Sequence, residues 1–160
     1  MSSCVFPGSF DPVTRGHMDL IRRASAVFDR VTVAVMVNIH KQGSMPPEKR
    51  IELLRKACAG FENVSVDRWD GLLADYLRHT GERCVIRGVR STTELDAETA
   101  AAAASRMLNP EMETLLMPAS GEYACVSSST VREVAAFGGD IRPFVPEEIA
   151  EEIAGLLANK

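Results

Sequence analysis

The stretch PGSFDPVTRGHMD, Pro7 to Asp19, decides how the rest of the chain is read. A short apolar run, Cys4-Val5-Phe6, breaks at Pro7 and Gly8, and after a turn-rich loop an amphipathic pattern starts at His17. The order is strand, loop, helix. Such a junction collects unpaired backbone N–H groups. Gly8 lets the backbone approach a ligand, and a helix opening near Gly16 and His17 turns its positive end the same way, so the junction suits a polyphosphate. His17 is then expected beside the bound phosphate. Taken alone, the same histidine reads equally well as the hydrogen-bonded corner of an ordinary strand-to-helix turn.

Outward from this stretch the chain alternates short apolar runs with helical patterns. Met18, Ile21, Ala24, Val27 and Phe28 recur at helical spacing, and Val31 to Met36 is a β-branched strand, completing a βαβ unit. A polar loop, Asn38 to Met45, follows, and Pro46, Pro47 and Glu48 open a helix to Ala57. Val64 to Val66 predicts a short third strand, Leu72 to Arg78 a helix ended by Gly81, and Cys84-Val85-Ile86 a fourth strand. Leu95 to Leu108 is helical up to Asn109-Pro110, and Thr114 to Met117 is a fifth strand. Ser127 to Thr130 caps a helix closed by Gly138-Gly139, and Pro146 to Leu157 is a terminal amphipathic helix. This alternation predicts a single α/β domain over residues 1–160. Its core is a Rossmann-like, doubly wound, parallel five-stranded sheet, covered on both faces and followed by a C-terminal helical segment.

Composition narrows the classes. With 46% hydrophobic and 25% charged residues the chain is an ordinary globular one, and its net charge of −4 argues against a sequence-independent grip on nucleic acid. No apolar run is long enough to span a bilayer, and MSSCVF lacks a basic region followed by an apolar stretch. A cytoplasmic protein is expected. Cys4, Cys58, Cys84 and Cys125 form no C-x-x-C pair and sit in apolar settings, which predicts reduced, buried thiols and no zinc site.

In a parallel sheet, ligands bind beyond the carboxyl ends of the strands. The informative loops are therefore Pro7 to Gly16, Asn38 to Met45, Arg87 to Thr93 and Pro118 to Ser128. The first offers Ser9 and His17, the second Lys41, the third Arg87 and Arg90 around a glycine, and the last hydroxyls at a helix N-terminus. Each has a plain alternative: a solvated lysine, a surface turn, a helix cap. Together they favour oxyanions, a triphosphate and a second phosphate. Neither G-x-x-x-x-G-K-[ST] nor G-x-G-x-x-G is present, which withdraws the usual kinase-like and dinucleotide readings.

The resemblance then becomes specific. G-S-F-D-P-V-T-R-G-H with V-S-S-S-T-V-R at Val126 to Arg132 resembles the paired signature of the nucleotidyltransferase superfamily. With I-R-G-V-R at Ile86 to Arg90, L-N-P-E-M-E-T at Leu108 to Thr114 and G-G-D-I near Gly138, nearly the whole chain is similar to the bacterial phosphopantetheine adenylyltransferases. The resemblance implies transfer of the adenylyl group of ATP to 4′-phosphopantetheine, giving dephospho-coenzyme A and pyrophosphate. It also implies Mg²⁺ and a homohexamer; no carboxylate cluster with Mg²⁺ spacing stands out in the sequence, so no protein side chain is expected as the ion's ligand.

By the same resemblance, His17 steadies the α-phosphate in the transition state. Ser9, Lys41 and Arg87 hold the acceptor phosphate, and Leu73 touches the pantetheine arm. Arg90, Ser128 and Ser129 hold the triphosphate. Ser9, Phe10, His17, Gly88, Val89, Glu98 and the run Tyr123, Ala124, Cys125, Val126 and Ser127 complete the ATP site. The attacking phosphate oxygen is already anionic, so no general base is needed, and catalysis reduces to positioning and charge neutralisation.

One region departs from the family. Where members carry a phenylalanine, a glutamate and a tyrosine before the glutamate, this chain has Leu95, Asp96 and Ala97 before Glu98, then Ala100 to Ala104. The alanine row reads either as close helix packing or as a widened wall of the acceptor channel. Two other functions stay open: a sister enzyme acting on another phosphorylated acceptor, and a nucleotide- or coenzyme-A-binding module without turnover.

Overall fold

A computed structural model describes residues 1–38 and 40–158. Ile39, inside the expected Asn38 to Met45 loop, and the last two residues of the expected domain, Asn159 and Lys160, lie outside the described residues. Five strands, β1 (Ser3–Gly8), β2 (Arg30–Val37), β3 (Val64–Asp70), β4 (Cys84–Val89) and β5 (Glu113–Pro118), form one all-parallel sheet in the order β3-β2-β1-β4-β5. Parallel pairs need crossovers, and helices α1 (Arg15–Ser25), α2 (Pro47–Ala57), α3 (Leu73–Thr80) and α4 (Thr92–Leu108) supply them. Helices α5 (Ser128–Ala136) and α6 (Ala150–Ala158) follow the last strand.

Alternation along the strands sorts the two faces. Phe6, Val33 and Val35 join Leu20 and Ile21 of α1, Leu53 and Leu54 of α2, Val131 of α5 and Ile153 of α6 in the large core. Val5, Ala34 and Val85 point the other way, to Tyr76 and Leu77 of α3 and to Met112. The chain winds outward through β1, β2 and β3, then returns across the sheet so that β4 lies beside β1, with Val5 facing Val85. That reversal is a topological switch point, the place where an α/β sheet opens a crevice at its carboxyl edge.

Several sequence expectations change. The third strand runs on to Asp70 because the whole of Val64–Asp70 pairs in register with Val31–Val37. Arg87-Gly88-Val89 is strand rather than loop, since these residues pair with Leu116, Met117 and Pro118, and α4 starts earlier, at Thr92, with Ser91 as its N-cap. The terminal helix opens as a 3₁₀ turn, Glu147–Ile149, before α6. Cys4 and Cys58 are buried, but Cys84 is partly exposed and Cys125 is exposed, because Cys125 sits in the turn before α5 instead of on a strand or helix. The alanine row does not mark close packing: α4 contributes no buried residue, so this face of the sheet is only partly covered. No described helix is long and apolar enough to cross a membrane.

Candidate active site

The loop after β1 is held in an unusual shape by its own residues. Phe10 takes a positive φ of 47°, and the Asp11–Pro12 peptide is cis. Gly8 makes room for the Phe10 ring, since a Cβ there would lie 3.0 Å from it. Thr14 is the N-cap of α1: its Oγ1 accepts from the His17 N–H at 3.3 Å, while its own N–H donates to His17 Nδ1 at 3.0 Å. This is a capping box with histidine in the place of the usual glutamate. Because Nδ1 is an acceptor there, the imidazole proton resides on Nε2. The ring packs against Phe10 at 4.9 Å between centroids. Burial first, then the charges of Arg90 and Arg87, push the His17 pKa down to about 4, so the imidazole is neutral at physiological pH.

Two cavities of about 400 Å³ each open at the switch point and share Pro7, Gly8, Ser9, Arg87 and Glu98. Phe10, Thr14, His17, Gly88, Arg90, Tyr123 and Val126 line the first, with Ser127, Ser128, Ser129 and Arg132 at the N-terminus of α5. The second is mostly apolar, with Met36, Leu72, Leu73, Val85 and Met112 on one side and Ala101, Ala102 and Ser105 of α4 on the other. On the α4 side only these small side chains line it, together with Glu98.

Glutamates of α4 aim the arginines. Arg87 donates Nε and Nη2 to the two oxygens of Glu98, at 2.8 and 2.7 Å, and Nη1 to the Pro7 carbonyl at 2.8 Å. Arg90 forks onto Glu94, one helical turn earlier, and donates Nη1 to the Val126 carbonyl at 3.0 Å. Those bonds from Arg90 hold the Glu94 carboxyl below the usual range, against the upward pull of its burial. At α5, Ser127 caps through Thr130 N–H at 3.0 Å and Ser128 Oγ donates to the Pro12 carbonyl at 2.6 Å, while Arg132 reaches the Asp11 carbonyl at 2.6 Å. The backbone N–H groups of the first α5 turn, with its dipole, face the first cavity.

Most of the residues expected from sequence converge. Ser9, Phe10, His17, Arg87, Gly88, Arg90, Glu98, Tyr123, Val126, Ser127, Ser128 and Ser129 line the first cavity, and Leu73 lines the second. Four do not line either cavity: Val89 is turned into the core, Ala124 and Cys125 are exposed beyond the rim, and Lys41 is exposed in the segment after β2. Sequence reasoning missed Thr14 as the partner of His17, Glu94 as the partner of Arg90, and Arg132. Arg132 ends the V-S-S-S-T-V-R motif one turn past Ser128, and Glu94 lies four residues from both Arg90 and Glu98. Those spacings were the available signals. Asp19, buried at the end of the first motif, binds Ser120 and two arginines of its own helix. Burial raises its pKa, but the hydrogen bonds from Ser120, Arg23 and Arg22 outweigh it and hold the carboxyl below the usual range.

The chain is similar to known proteins over nearly its whole length. The model of the cytidylyltransferase-like family matches residues 5–134. A phosphopantetheine adenylyltransferase of Finegoldia magna is 44% identical over 93% of this chain and 92% of its own. The one of Rubrobacter xylanophilus is 44% identical over 96% and 93%, and the one of Clostridium tetani is 41% identical over the full length of both. Among solved structures, one from Vibrio parahaemolyticus designated a nicotinate-nucleotide adenylyltransferase covers 100% of this chain and 98% of its own, with a TM-score of 0.70 and 18% identity. That likeness speaks to the fold alone.

Proposed function

The chain belongs to the phosphopantetheine adenylyltransferases of the cytidylyltransferase-like family, and on that premise we propose that it joins ATP and 4′-phosphopantetheine to give dephospho-coenzyme A and pyrophosphate. The observation that carries this reading is the Nε2–H of a neutral His17, fixed by Thr14, in a cavity that Arg87 and Arg90 also line and that adjoins a mostly apolar one.

The first cavity suits the nucleotide. Arg90, Arg132 and the α5 N-terminus with Ser128 and Ser129 receive the triphosphate, while Phe10, Gly88 and the Tyr123 to Ser127 turn flank the nucleoside. The shared wall suits the acceptor phosphate, met by Ser9 and Arg87, and the apolar cavity beyond it suits the pantetheine arm along Leu73, Met36 and Met112. The acceptor phosphate oxygen attacks the α-phosphorus, and the bond from that phosphorus to the bridging oxygen of pyrophosphate breaks. His17 donates Nε2–H to a non-bridging α-phosphate oxygen as charge builds there, and Arg90 and the helix N-terminus take up the charge on the leaving pyrophosphate. A neutral donor keeps its proton throughout, so no base is required. Lys41 reaches the acceptor phosphate from the segment after β2.

Among the described residues no three carboxylate, imidazole or thiol groups come together, and the two carboxylates of the cleft, Glu94 and Glu98, are each engaged by an arginine. A protein cage for Mg²⁺ does not fit these residues, so we place the ion on the triphosphate, as part of the Mg·ATP substrate. Assembly as a homohexamer and a cytoplasmic location belong to the same proposal; the exposed Leu95, Met107, Leu108 and Leu115 of α4 and β5 are the apolar surface that subunit contacts would cover.

The test is pyrophosphate release from Mg·ATP with 4′-phosphopantetheine, run beside nicotinate mononucleotide and a His17→Ala variant. Turnover with phosphopantetheine that collapses in the variant supports the proposal. Turnover only with the mononucleotide, or ATP binding without turnover on either acceptor, overturns it.

A further inference from the structure

Asp11 and Arg50 line neither cavity, yet both charged side chains are buried, at 7% and 6% exposure. One Asp11 carboxylate oxygen accepts from the Ser44 N–H at 2.6 Å and the other from the Met45 N–H at 2.8 Å. From the opposite direction, Arg50 of α2 donates Nη1 to the Ser9 carbonyl at 2.9 Å. Gly43 lies beside both charges: a Cβ there would stand 3.1 Å from Asp11 Oδ2 and 3.4 Å from Arg50 Nη2. The loop after β1 and the segment after β2 are thus tied to each other in both directions.

A surface connection does not require this. His40, Lys41 and Gln42 are exposed, whereas Met45, a few residues on, is 2% exposed. Burying a carboxylate and a guanidinium is costly unless they are well satisfied, and Arg50 Nε is buried without a partner. An apolar plug would seal the same space at lower cost. What two buried charges supply instead is register, because a carboxylate that accepts two successive N–H groups sets where that backbone lies relative to Asp11.

Asp11 is also joined to the first cavity. Its carbonyl accepts from Arg132, and the Ser9 carbonyl two residues before it is the one Arg50 holds. Lys41 stands three residues before Ser44, so with Ser44 pinned its Cα can range over only about 10 Å. We propose that Asp11, supported by Arg50, is a positioning residue that anchors the Lys41 segment to the phosphate loop, so that the Lys41 ammonium closes over the acceptor phosphate beside Ser9 and Arg87. This rests on the adenylyl-transfer reading for the identity of the acceptor; the tether itself does not.

The experiment compares the full chain with Asp11→Asn, Lys41→Ala, the double variant and Gly43→Ala, each checked by thermal melting. Steady-state kinetics give KM for phosphopantetheine and for ATP separately, and amide hydrogen exchange is followed at Ser44 and Met45. Asp11→Asn is expected to speed exchange at those two amides and to raise the acceptor KM about tenfold or more, with the ATP KM held within about twofold. The double variant should be no worse than Lys41→Ala, because the two residues act through one contact. Gly43→Ala, which wedges the tether without removing a charge, should reproduce the split even where Asp11→Asn folds poorly. Unchanged exchange overturns the tether. Additive losses, or an equal rise in the ATP KM, overturn the action through Lys41. Absence of turnover in the unmodified chain overturns the adenylyl-transfer reading while the exchange result still decides the tether.

Discussion

Arg87 and Glu98 form a two-pronged ion pair, 2.8 and 2.7 Å, in the wall that the two cavities share. The planar guanidinium is held edge-on by the carboxylate and by the Pro7 carbonyl, which presents it at the boundary instead of letting it fold into either cavity. Lysine at this position keeps the charge but loses the fork. Arg87→Lys should therefore lower kcat/KM for the acceptor by about 10- to 100-fold, on a charged hydrogen bond of roughly 1.5–3 kcal/mol, with a smaller effect on ATP binding. Initial-rate kinetics with each substrate varied in turn check this.

Replacing His17 by Asn removes the Nε2–H donor and should cost about 10²–10³ in kcat. Because burial and the two arginines hold the imidazole near pKa 4, the rate should show no inflection from His17 near its ordinary 6.5. An acid limb near pH 6 is instead expected from the acceptor phosphate, and it should persist in His17→Asn. A limb that vanished in the variant would contradict a neutral His17.

The same shift has a sign in stability. The folded pKa lies below the unfolded value of 6.5, so below that pH the unfolded chain takes up a proton that the folded chain refuses. Stability contributed by the neutral ring is full above pH 6.5 and is lost as pH falls towards 4. Urea midpoints should drop from pH 7 to pH 5 more steeply in the unmodified chain than in His17→Asn.

Gly88 lets β4 pass close to α1: a Cβ there would lie 2.3 Å from Leu20 Cδ1. Both residues line the first cavity. Gly88→Ala should destabilise the fold by about 1–3 kcal/mol and push Leu20 towards the nucleotide. Adding Leu20→Ala should return part of the stability, which denaturant titration of the single and double variants measures.

Ala102 is half-buried on the α4 wall of the apolar cavity, where no side chain is fully packed. Ala102→Leu should fill that space, raising the acceptor KM while leaving the ATP KM and the melting temperature nearly unchanged. A large fall in melting temperature would mean that α4 is pressed against the sheet.

Much of the site was legible because its residues cluster in short stretches. His17, Arg87, Arg90 and the serines of α5 sit within or beside strand ends and helix starts that hydrophobic periodicity and capping chemistry mark directly. Thr14 as the partner of His17 was legible in principle, since both ends of a capping box lie three residues apart. Lys41 shows the limit: its loop is evident in the sequence, but its exposed place outside both cavities is not.

Local chemistry determined which segments are strands and helices and which loops could meet an anion, because turns, caps and apolar period act over a few residues. Which loops meet was decided only by the tertiary structure. The return of β4 to the side of β1 brings Arg87 to Pro7, eighty residues away, and the pairing of β4 with β5 turned an expected Arg87 loop into strand. The exposed stance of α4, and the buried Asp11 that binds Ser44 and Met45, depend on space and charge between distant segments, which no short-range pattern encodes.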